Sequence, residues 1–523
     1  MTTRETGRDA LWALALLALM TAVLMERPLT PIDETRYASV AWEMWTRGDF
    51  LVPYLNGEPY HHKPPLLFWL IHAGWALHGV NEWSMRLISP VFAAGTMALT
   101  FLLGRRLWPT EPDLARMAPF ILLASLLFAY FASALMFDVI LSFFVALGLL
   151  GLVRAWQTDG GMGGFALLTL GVGGALYAKG PVALLHLLPL ALSAPWWMRE
   201  QRPRWARWYA GVLLSLLGGA ALILAWAIPA GIAGGEAYRN AIFWGQTANR
   251  MVESFAHRAP WWFYLAWLPL MLAPWLLWPR WWTALKSDLF AESGFRFAVL
   301  GALFCLVSFS LVSGKRVHYL LPEFVLFALI AARALHASRP TRWSLAVPAL
   351  TLVAIGIGAV VAAGKVALQF GGDVSPLAPR LGGALAVACG LALLLRPPAT
   401  PLTDVRRVAT AAVISAAGLL ATYEFAMREP YDVSVVGGKL AQFEREGRPV
   451  AVEGADHGQW TLVGRLQRPL VKVPEHRVAG WLAAHPEGRV VFIYRKTEEI
   501  PVGTRVEYAR RYRQGWVAIL AAP

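Results

Sequence analysis

Charged residues and cysteines are both scarce in this chain. Only 15% of its 523 residues are charged, against roughly 25% in ordinary soluble domains, which excludes a soluble globular protein. The two cysteines, Cys305 and Cys389, lie inside apolar runs and offer neither a zinc-finger spacing nor a disulfide framework. No basic run forms a patch the size of a nucleic-acid groove, so we expect no nucleic-acid partner. The sequence also shows no internal repeat.

Apolar residues are abundant. The chain is 57% hydrophobic and holds 25 tryptophans, and its mean hydropathy is +0.49, which indicates a polytopic membrane protein. The formal net charge of +14 comes mostly from arginine. Such a charge is explained if the arginines lie in cytoplasmic loops and orient the membrane spans. Basic residues that hold an anionic lipid or phosphate are the alternative explanation.

Apolar windows of about 17–25 residues predict roughly thirteen transmembrane helices. They cover residues 9–25, 84–107, 115–133, 136–157, 162–178, 181–198, 207–232, 259–279, 293–313, 317–337, 344–364, 380–396 and 406–427. Arg4 and Arg8 precede the first window and no small-residue cleavage site follows it, so we interpret it as an uncleaved span. The apolar run 66–77 is too short to cross and is expected to lie at the interface.

The distribution of arginine fixes the predicted orientation. If 66–77 does not cross, the arginine-rich loops at 105–106 and 199–207 face the cytoplasm, as the positive-inside rule requires. The loop 31–65 and the C-terminus then face outward, into the periplasm of a bacterium, and the protein lies in the inner membrane. Six basic residues lie on the predicted external side, where the positive-inside rule disfavours them. They either bind an anionic ligand or snorkel to lipid headgroups. These residues are Arg36, Lys63, Lys179, Arg258, Lys315 and Arg316.

Residues 31–65 hold most of the candidate chemistry. Asp33 and Glu34 open this segment and His62 and Lys63 close it. Its interior predicts an amphipathic helix that lies flat at the membrane surface, because apolar residues recur at helical spacing. These are Tyr37, Val40, Ala41, Met44 and Trp45. The second long external loop, 234–260, predicts another short amphipathic helix and carries His257 and Arg258.

The composition becomes polar after about residue 428. Short β-like runs at 449–453, 488–494, 505–508 and 516–520 alternate with helical stretches. We therefore divide the chain into a membrane domain, 1–428, and a periplasmic α/β domain, 429–523, to which no chemical motif can be assigned.

The acidic pair, the tyrosine behind it and the following His-Lys-Pro-Pro-Leu run resemble the GT-C glycosyltransferases of the protein O-mannosyltransferase superfamily. The resemblance rests on six short segments. They are Asp33-Glu34-Thr35-Arg36-Tyr37, His62-Lys63-Pro64-Pro65-Leu66, Met136-Phe137-Asp138, Lys179-Gly180-Pro181, Ser313-Gly314-Lys315 and His318-Tyr319-Leu320-Leu321-Pro322. Within the superfamily the pattern is most similar to the bacterial transferases that add aminoarabinose to lipid A, a lipopolysaccharide modification associated with polymyxin resistance. The resemblance covers nearly all of the membrane part.

The resemblance implies a glycosyltransferase that works with inversion on the periplasmic face. Its donor would be an undecaprenyl-phosphate-linked sugar, similar to 4-amino-4-deoxy-L-arabinose, and its acceptor lipid A or another glycolipid. Asp33 and Glu34 would be catalytic, with Asp33 a general base or an orienting group. The donor phosphate and sugar would contact seven further residues. These are Arg36, Tyr37, Lys63, Asp138, Lys179, Arg258 and Tyr319. We expect a monomer surrounded by membrane lipids.

Simpler roles exist for three of these residues. Asp33 is also placed to cap the helix that it opens, in the sequence Thr30-Pro31-Ile32-Asp33. Asp138 can cap the next span, and Tyr319 can belong to an aromatic belt. Related proteins carry an acid at the position of His62 and associate a metal with it and with a histidine of the second loop. By resemblance, His62 and His257 would hold zinc in a structural role, and polar loop histidines are the alternative.

Two other functions compete with this interpretation. A transferase to proteins or other glycans would use the same donor chemistry. A transporter or lipid flippase usually shows inverted repeats and charges within its spans, whereas the ionisable residues of this chain gather in two external loops. The sequence therefore favours the enzyme.

Overall fold

The computed structural model describes residues 3–199, 202–245, 258–285, 288–341, 343–369 and 375–523. Helices dominate it up to residue 445 and a mixed sheet follows. The helices of the first half are α1 Thr3–Met25, α2 Asp33–Arg47, α3 Leu66–His78, α4 Glu82–Arg86, α5 Ile88–Leu107, α6 Pro112–Ala124, α7 Leu126–Phe131, α8 Phe137–Gln157, α9 Met162–Lys179, α10 Leu188–Leu192, α11 Ala194–Trp197, α12 Trp205–Ala233 and α13 Gly235–Asn240.

The remaining helices are α14 Phe263–Met271, α15 Pro279–Ala284, α16 Ser293–Leu311, α17 Phe324–Ala337, α18 Ala346–Gln369, α19 Leu377–Leu394, α20 Pro401–Tyr431, α21 Ser434–Arg445 and α22 Val478–Ala484. A π-helical turn covers Ala241–Gly245. Short 3-10 helices cover Gly180–His186, Asp288–Ala291, Val317–Glu323, Glu475–Arg477 and Thr497–Glu499.

Ten helical segments of the described residues are long and apolar enough to cross a membrane. The other three predicted spans are helical only in shorter pieces. Segment 115–133 divides at Ser125, between α6 and α7. Segment 181–198 contains three prolines and segment 259–279 contains four, and prolines interrupt helical hydrogen bonding. The multi-pass architecture is therefore confirmed, and the count of thirteen spans stays a prediction.

Helices α2 and α3 occupy the segment that was expected to lie at the interface. In α2 the predicted apolar face is buried at Tyr37, Val40, Ala41 and Met44. The helix ends at Gly48, whose φ of 66° allows its N–H to reach the carbonyls of the last turn. Helix α3 has 13 residues, so it is about 20 Å long and falls short of the roughly 30 Å of a bilayer core.

Helices α8 and α9 pack closely because glycines line their contact. A Cβ atom at Gly171 would lie 2.5 Å from the backbone nitrogen of Gly148, and one at Gly164 would lie 2.3 Å from that of Ala155. Small residues of this kind let two helix backbones approach inside a membrane. The contact matters for the site described below, because α8 begins next to Asp138 and α9 ends at Lys179.

The C-terminal part forms a five-stranded mixed sheet in the order β4-β3-β5-β7-β6, preceded by a two-stranded hairpin in the loop after α2. The strands are β1 Tyr54–Leu55, β2 Glu58–Pro59, β3 Val450–Glu453, β4 Val471–Val473, β5 Arg489–Tyr494, β6 Arg505–Tyr512 and β7 Gly515–Ala521. Strand β3 runs parallel to β4 and β5, whereas β7 is antiparallel to its neighbours. Helix α21 packs on one face and α22 on the other, which confirms the predicted small α/β fold and adds β4.

The sheet contacts the loop after α2 through several hydrogen bonds. The amide of Asn56 donates to the carbonyl of Leu470 at 2.9 Å and accepts from its N–H at 2.7 Å. The indole of Trp42 donates to the carbonyl of Leu466 at 2.8 Å. The hydroxyl of Ser39 donates to the carbonyl of Gly458 at 2.5 Å. The C-terminal sheet therefore rests directly on α2.

We expect Gly171→Ala to lower the unfolding temperature of the purified protein, because the added Cβ meets the backbone of Gly148. Overpacking of this kind costs about 1–3 kcal/mol. The measurement is tryptophan fluorescence during thermal unfolding in detergent. Gly358→Ala is the matched control, since a Cβ there meets nothing within 4 Å. Equal unfolding temperatures for the two variants would contradict the predicted close contact.

Candidate active site

Asp33 and Glu34 open α2 but point to different environments. Successive helix residues are about 100° apart, so only one of the two can face the protein interior. Glu34 is 4% exposed as a residue, whereas the Asp33 side chain is 55% exposed. The acidic pair of the sequence is therefore a buried carboxylate next to an accessible one.

Hydrogen-bond donors contact both carboxylate oxygens of Glu34. Arg27 binds both of its carboxylate oxygens, with Nη1 to Oε2 at 2.6 Å. The backbone N–H groups of Thr30 and Leu135 donate to it at 3.0 and 2.9 Å. Burial alone would raise the pKa of Glu34, but the ion pair with Arg27 and these bonds hold it below its ordinary value. The catalytic role predicted for Glu34 stays a prediction, and its contacts favour positioning of α2.

Asp33 lies beside a cation at the exposed start of the helix. Its Oδ1 is 3.6 Å from Nη1 of Arg36, one turn further along α2. The backbone N–H of Thr30 is bonded by Glu34, and the cap position, Ile32, makes no side-chain cap bond. Asp33 is thus the first residue of α2 and not its cap, and its carboxylate faces the accessible side.

Tyr37 and Lys63 meet at the ring of Phe137. The Tyr37 ring lies edge-on to it at 4.9 Å, and Nζ of Lys63 is 5.7 Å from its centroid. Tyr37 is 4% exposed. Burial, reinforced by the charge of Asp33, raises the pKa of Tyr37 well above its ordinary value, so its hydroxyl stays protonated. Phe137 precedes Asp138, and the two external motifs therefore meet at the start of α8.

Asp138 and Lys179 form a buried ion pair between the start of α8 and the end of α9. Nζ of Lys179 also lies 4.3 Å from the ring centroid of Tyr319. The cap position of α8, Met136, makes no side-chain cap bond, so Asp138 is an ion-pair partner here. Tyr319 packs on Lys179, in contrast to a tyrosine of the aromatic belt. These three residues come together as the resemblance implied.

His318 was not assigned a role from the sequence, although it stands in the motif that carried the resemblance. The charges of Asp138, Lys179, Lys63 and Asp33 all act on its imidazole. Its ring lies 5.0 Å from that of Tyr319. His318 therefore marks the point where both external motifs and the two spans converge. Its motif was the available signal, but spacing alone could not bring it next to Asp33.

The second external loop reaches the same end of the molecule. Arg258 forms an antiparallel bridge with Gly314, and Nζ of Lys315 donates to the carbonyl of Ala259 at 3.0 Å. This turn leads into the helix that carries His318. His257 lies outside the described residues, as does the latter part of the predicted loop helix. His62 packs on Tyr60 at 5.3 Å, and the zinc pair of His62 and His257 stays a prediction.

The loop after β3 brings a further histidine to this region. His457 is half-buried, and the charges of Arg36, Arg513 and Asp33 act on its imidazole. Its neighbour Gly458 has φ of +72°, and a Cβ there would lie 2.7 Å from Cβ of Ser39. The C-terminal residues gave no sequence signal for this, because the contact depends on how the sheet meets α2.

The arrangement combines an accessible carboxylate with cations around an apolar centre. Asp33 stands at a helix end, while Lys63 and Lys179 approach from two other elements. Lysine and arginine at such a place neutralise charge on phosphate oxygens. A group that departs as a phosphate would therefore be stabilised here.

Comparison with known proteins places this geometry in a family. The family model described as dolichyl-phosphate-mannose-protein mannosyltransferase matches residues 62–229. Among solved structures, ArnT from Cupriavidus metallidurans bound to undecaprenyl phosphate superposes with a TM-score of 0.78 over 99% of both chains, at 19% identity. Its apo state gives 0.79 over 100% of both chains. Residues 62–229 thus match a mannosyltransferase family model, and the whole chain has the GT-C fold.

Curated members of the superfamily are more similar in sequence. An undecaprenyl phosphate-alpha-4-amino-4-deoxy-L-arabinose arabinosyl transferase 2 of Pseudomonas fluorescens is 31% identical over 58% of this chain and 55% of its own length. The corresponding transferase of Pseudomonas paraeruginosa is 30% identical over 69% of this chain and 66% of its own length. The chain thus aligns with roughly half to two thirds of these relatives. The resemblance read from the motifs is confirmed at the level of family and fold.

We expect Glu34→Gln to destabilise the protein at pH 7, because Arg27 would keep a buried charge without its partner; such losses are about 3–5 kcal/mol. The pKa of Glu34 lies below its ordinary value, so the ion pair stabilises fully above about pH 4.3 and less as the pH falls below it. The gap in unfolding temperature between wild type and variant should therefore shrink in acid.

Thermal unfolding in detergent between pH 7 and pH 3.5 measures this gap. Glu26→Gln is the control, since Glu26 is exposed and its loss should leave the unfolding temperature unchanged. A gap that stays constant, or widens, in acid would show that the stabilising carboxylate is a different one.

Proposed function

We propose that this protein transfers a sugar from an undecaprenyl-phosphate donor to lipid A, with inversion at the anomeric carbon. The observation that carries the proposal is the meeting of Tyr37 and Lys63 at the ring of Phe137, directly beside the buried Asp138–Lys179 ion pair. Relatives named for transfer of 4-amino-4-deoxy-L-arabinose support that sugar or a similar one. The donor lipid is supported by the printed description of the structure bound to undecaprenyl phosphate.

The reaction exchanges one bond at the anomeric carbon for another. An acceptor oxygen attacks from the face opposite the donor phosphate, and the bond to that phosphate oxygen breaks. Undecaprenyl phosphate leaves with the electron pair. Cations that neutralise its developing charge lower the barrier, and preorganised groups of this kind often supply the largest part of catalysis.

The residues divide into two groups around the sugar. Lys63, Lys179 and Arg258 would bind the donor phosphate, with Tyr37 and Tyr319 against the sugar and its phosphate. Asp138 keeps Lys179 in place. Asp33, with Arg36 beside it, would face the acceptor. If that acceptor is a hydroxyl, Asp33 takes its proton, and if it is an anionic lipid A phosphate, Asp33 orients it.

This chemistry fits the outer face of the inner membrane. Donor and acceptor are both lipids, so the site needs access from the bilayer, and helices α2 and α3 are of interfacial length. The positive-inside distribution of arginine supports a periplasmic site and C-terminus. Mass spectrometry of lipid A from a deletion strain, with and without the restored chain, tests the function. Unchanged lipid A beside unmodified periplasmic glycoproteins would reject lipid A as acceptor.

Asp33→Asn should abolish turnover while donor binding persists, because the substitution removes the charge but keeps the shape of an exposed side chain. We expect a fall in rate of at least about 100-fold, as for the loss of a general base. Turnover is measured with purified protein, donor and lipid A, and donor binding by native mass spectrometry. Asp159→Asn, at an exposed position with φ of 49°, is the control and should be fully active. A transporter would lose nothing in either variant.

Lys179→Met should both destabilise the protein and prevent donor binding, because Asp138 would be left as an unpaired buried charge. The double variant Asp138→Asn/Lys179→Met should recover most of the thermal stability but not the transfer activity. Unfolding temperature and donor KM are the two measurements. Lys365→Met, at an exposed position of α18, controls for loss of one lysine. Recovery of activity in the double variant would limit Lys179 to a structural role.

A further inference from the structure

A large cavity lies at the opposite end of α1 from the candidate active site. Its volume is about 720 Å³, and it is bounded by the first turns of α1, by α6, by the end of α19 and by the first half of α20. Helix α1 has 23 residues, which separates the two ends by about 35 Å. The cavity therefore takes no part in the chemistry proposed above.

The charges that line this cavity are unbalanced. Five arginines face two carboxylates, a formal excess of three positive charges. The arginines are Arg8, Arg116, Arg396, Arg406 and Arg407, and the carboxylates are Glu5 and Asp9. A cavity with such an excess favours an anionic ligand.

The carboxylates do not neutralise all of the arginines. Asp9 pairs with both Arg116 and Arg406, and the Nε atom of Arg406 is buried without a hydrogen-bond partner. Arg407 lies 3.7 Å from Asp404, which also pairs with Arg280. In the described part of the chain, no carboxylate pairs with Arg8 or Arg396.

An apolar wall also lines the cavity. Trp12 is 53% exposed, and its indole N–H donates to the hydroxyl of Thr410 at 3.0 Å. Small and aliphatic side chains continue this wall along α19 and α20. They are Cys389, Ala392, Leu393, Ala411 and Ile414. A soluble phosphate would fill only the charged part, whereas a lipid would place its headgroup on the arginines and its acyl chains on this wall.

We propose that this cavity binds the headgroup of an anionic phospholipid, with Arg8 and Arg396 on the phosphate. A phosphate ester matches arginine by charge and by paired hydrogen bonds. In the orientation that the arginines predict, the site opens to the cytoplasmic leaflet, where basic pockets between helices meet anionic lipids. The bound lipid joins the ends of α1, α19 and α20, and stabilises the folded protein by mass action. The site is independent of the proposed activity.

The test compares lipids on delipidated protein in detergent. Phosphatidylglycerol should raise the unfolding temperature in a saturable way and appear as an adduct in native mass spectrometry, while phosphatidylcholine should do neither. Inorganic phosphate and glycerol phosphate form a separate arm. Stabilisation by these small anions as strong as that by phosphatidylglycerol would overturn the lipid site in favour of a soluble ligand.

Variants locate the binding. Arg8→Gln/Arg396→Gln should weaken phosphatidylglycerol binding roughly tenfold or more, since two charges near the headgroup are lost. Arg8→Lys/Arg396→Lys keeps both charges and should retain most of the affinity, which separates binding from a folding defect. Arg105→Gln/Arg204→Gln removes two exposed arginines that do not line the cavity and should bind like wild type. Equal affinities in all three variants would overturn the proposal.

Discussion

The buried ion pair between Arg27 and Glu34 determines where the first external helix begins. Two oppositely charged groups cannot stay in an apolar interior unless each satisfies the other, so the pair ties the chain after α1 to the first turn of α2. The N–H of Leu135 adds a bond from the segment before α8. Asp33 immediately precedes Glu34 and is consequently fixed in position while its own carboxylate stays accessible. The accessible carboxylate thus gains its orientation from a buried neighbour.

A second buried pair repeats this arrangement on the other side of the site. Asp138 and Lys179 belong to two helices whose glycine contact sets their separation. The lysine thereby has an acidic partner at the end of a span, where an isolated ammonium would be costly to hold. Tyr319 covers it at 4.3 Å. Charge compensation within the protein therefore holds this lysine in place for the phosphate of the proposed donor.

Much of this could be predicted from local sequence. The helix at α2, the interfacial α3, the sheet and the family followed from periodicity and motifs, because these depend on near neighbours along the chain. The sequence did not predict that Glu34 is buried while Asp33 is accessible, since this depends on Arg27 and on a backbone N–H about 100 residues away. Prolines mark the interruptions in segments 181–198 and 259–279, whereas the division of segment 115–133 at Ser125 has no such signal. His318 and His457 needed the fold, because long-range packing brings them to α2.

The docking of the C-terminal sheet has a consequence for how this protein can be divided. Asn56 and Leu470 exchange two hydrogen bonds, and both groups are buried. If the sheet were removed, these amide groups and the indole of Trp42 would lose their protein acceptors and meet water or lipid instead. The β1–β2 hairpin, which leads to Lys63, would then lose the contacts that Asn56 makes with Leu470. A shortened chain that retains every membrane-spanning helix would therefore be a different molecule around α2, and the sheet belongs to the architecture of that region even though it supplies no catalytic motif.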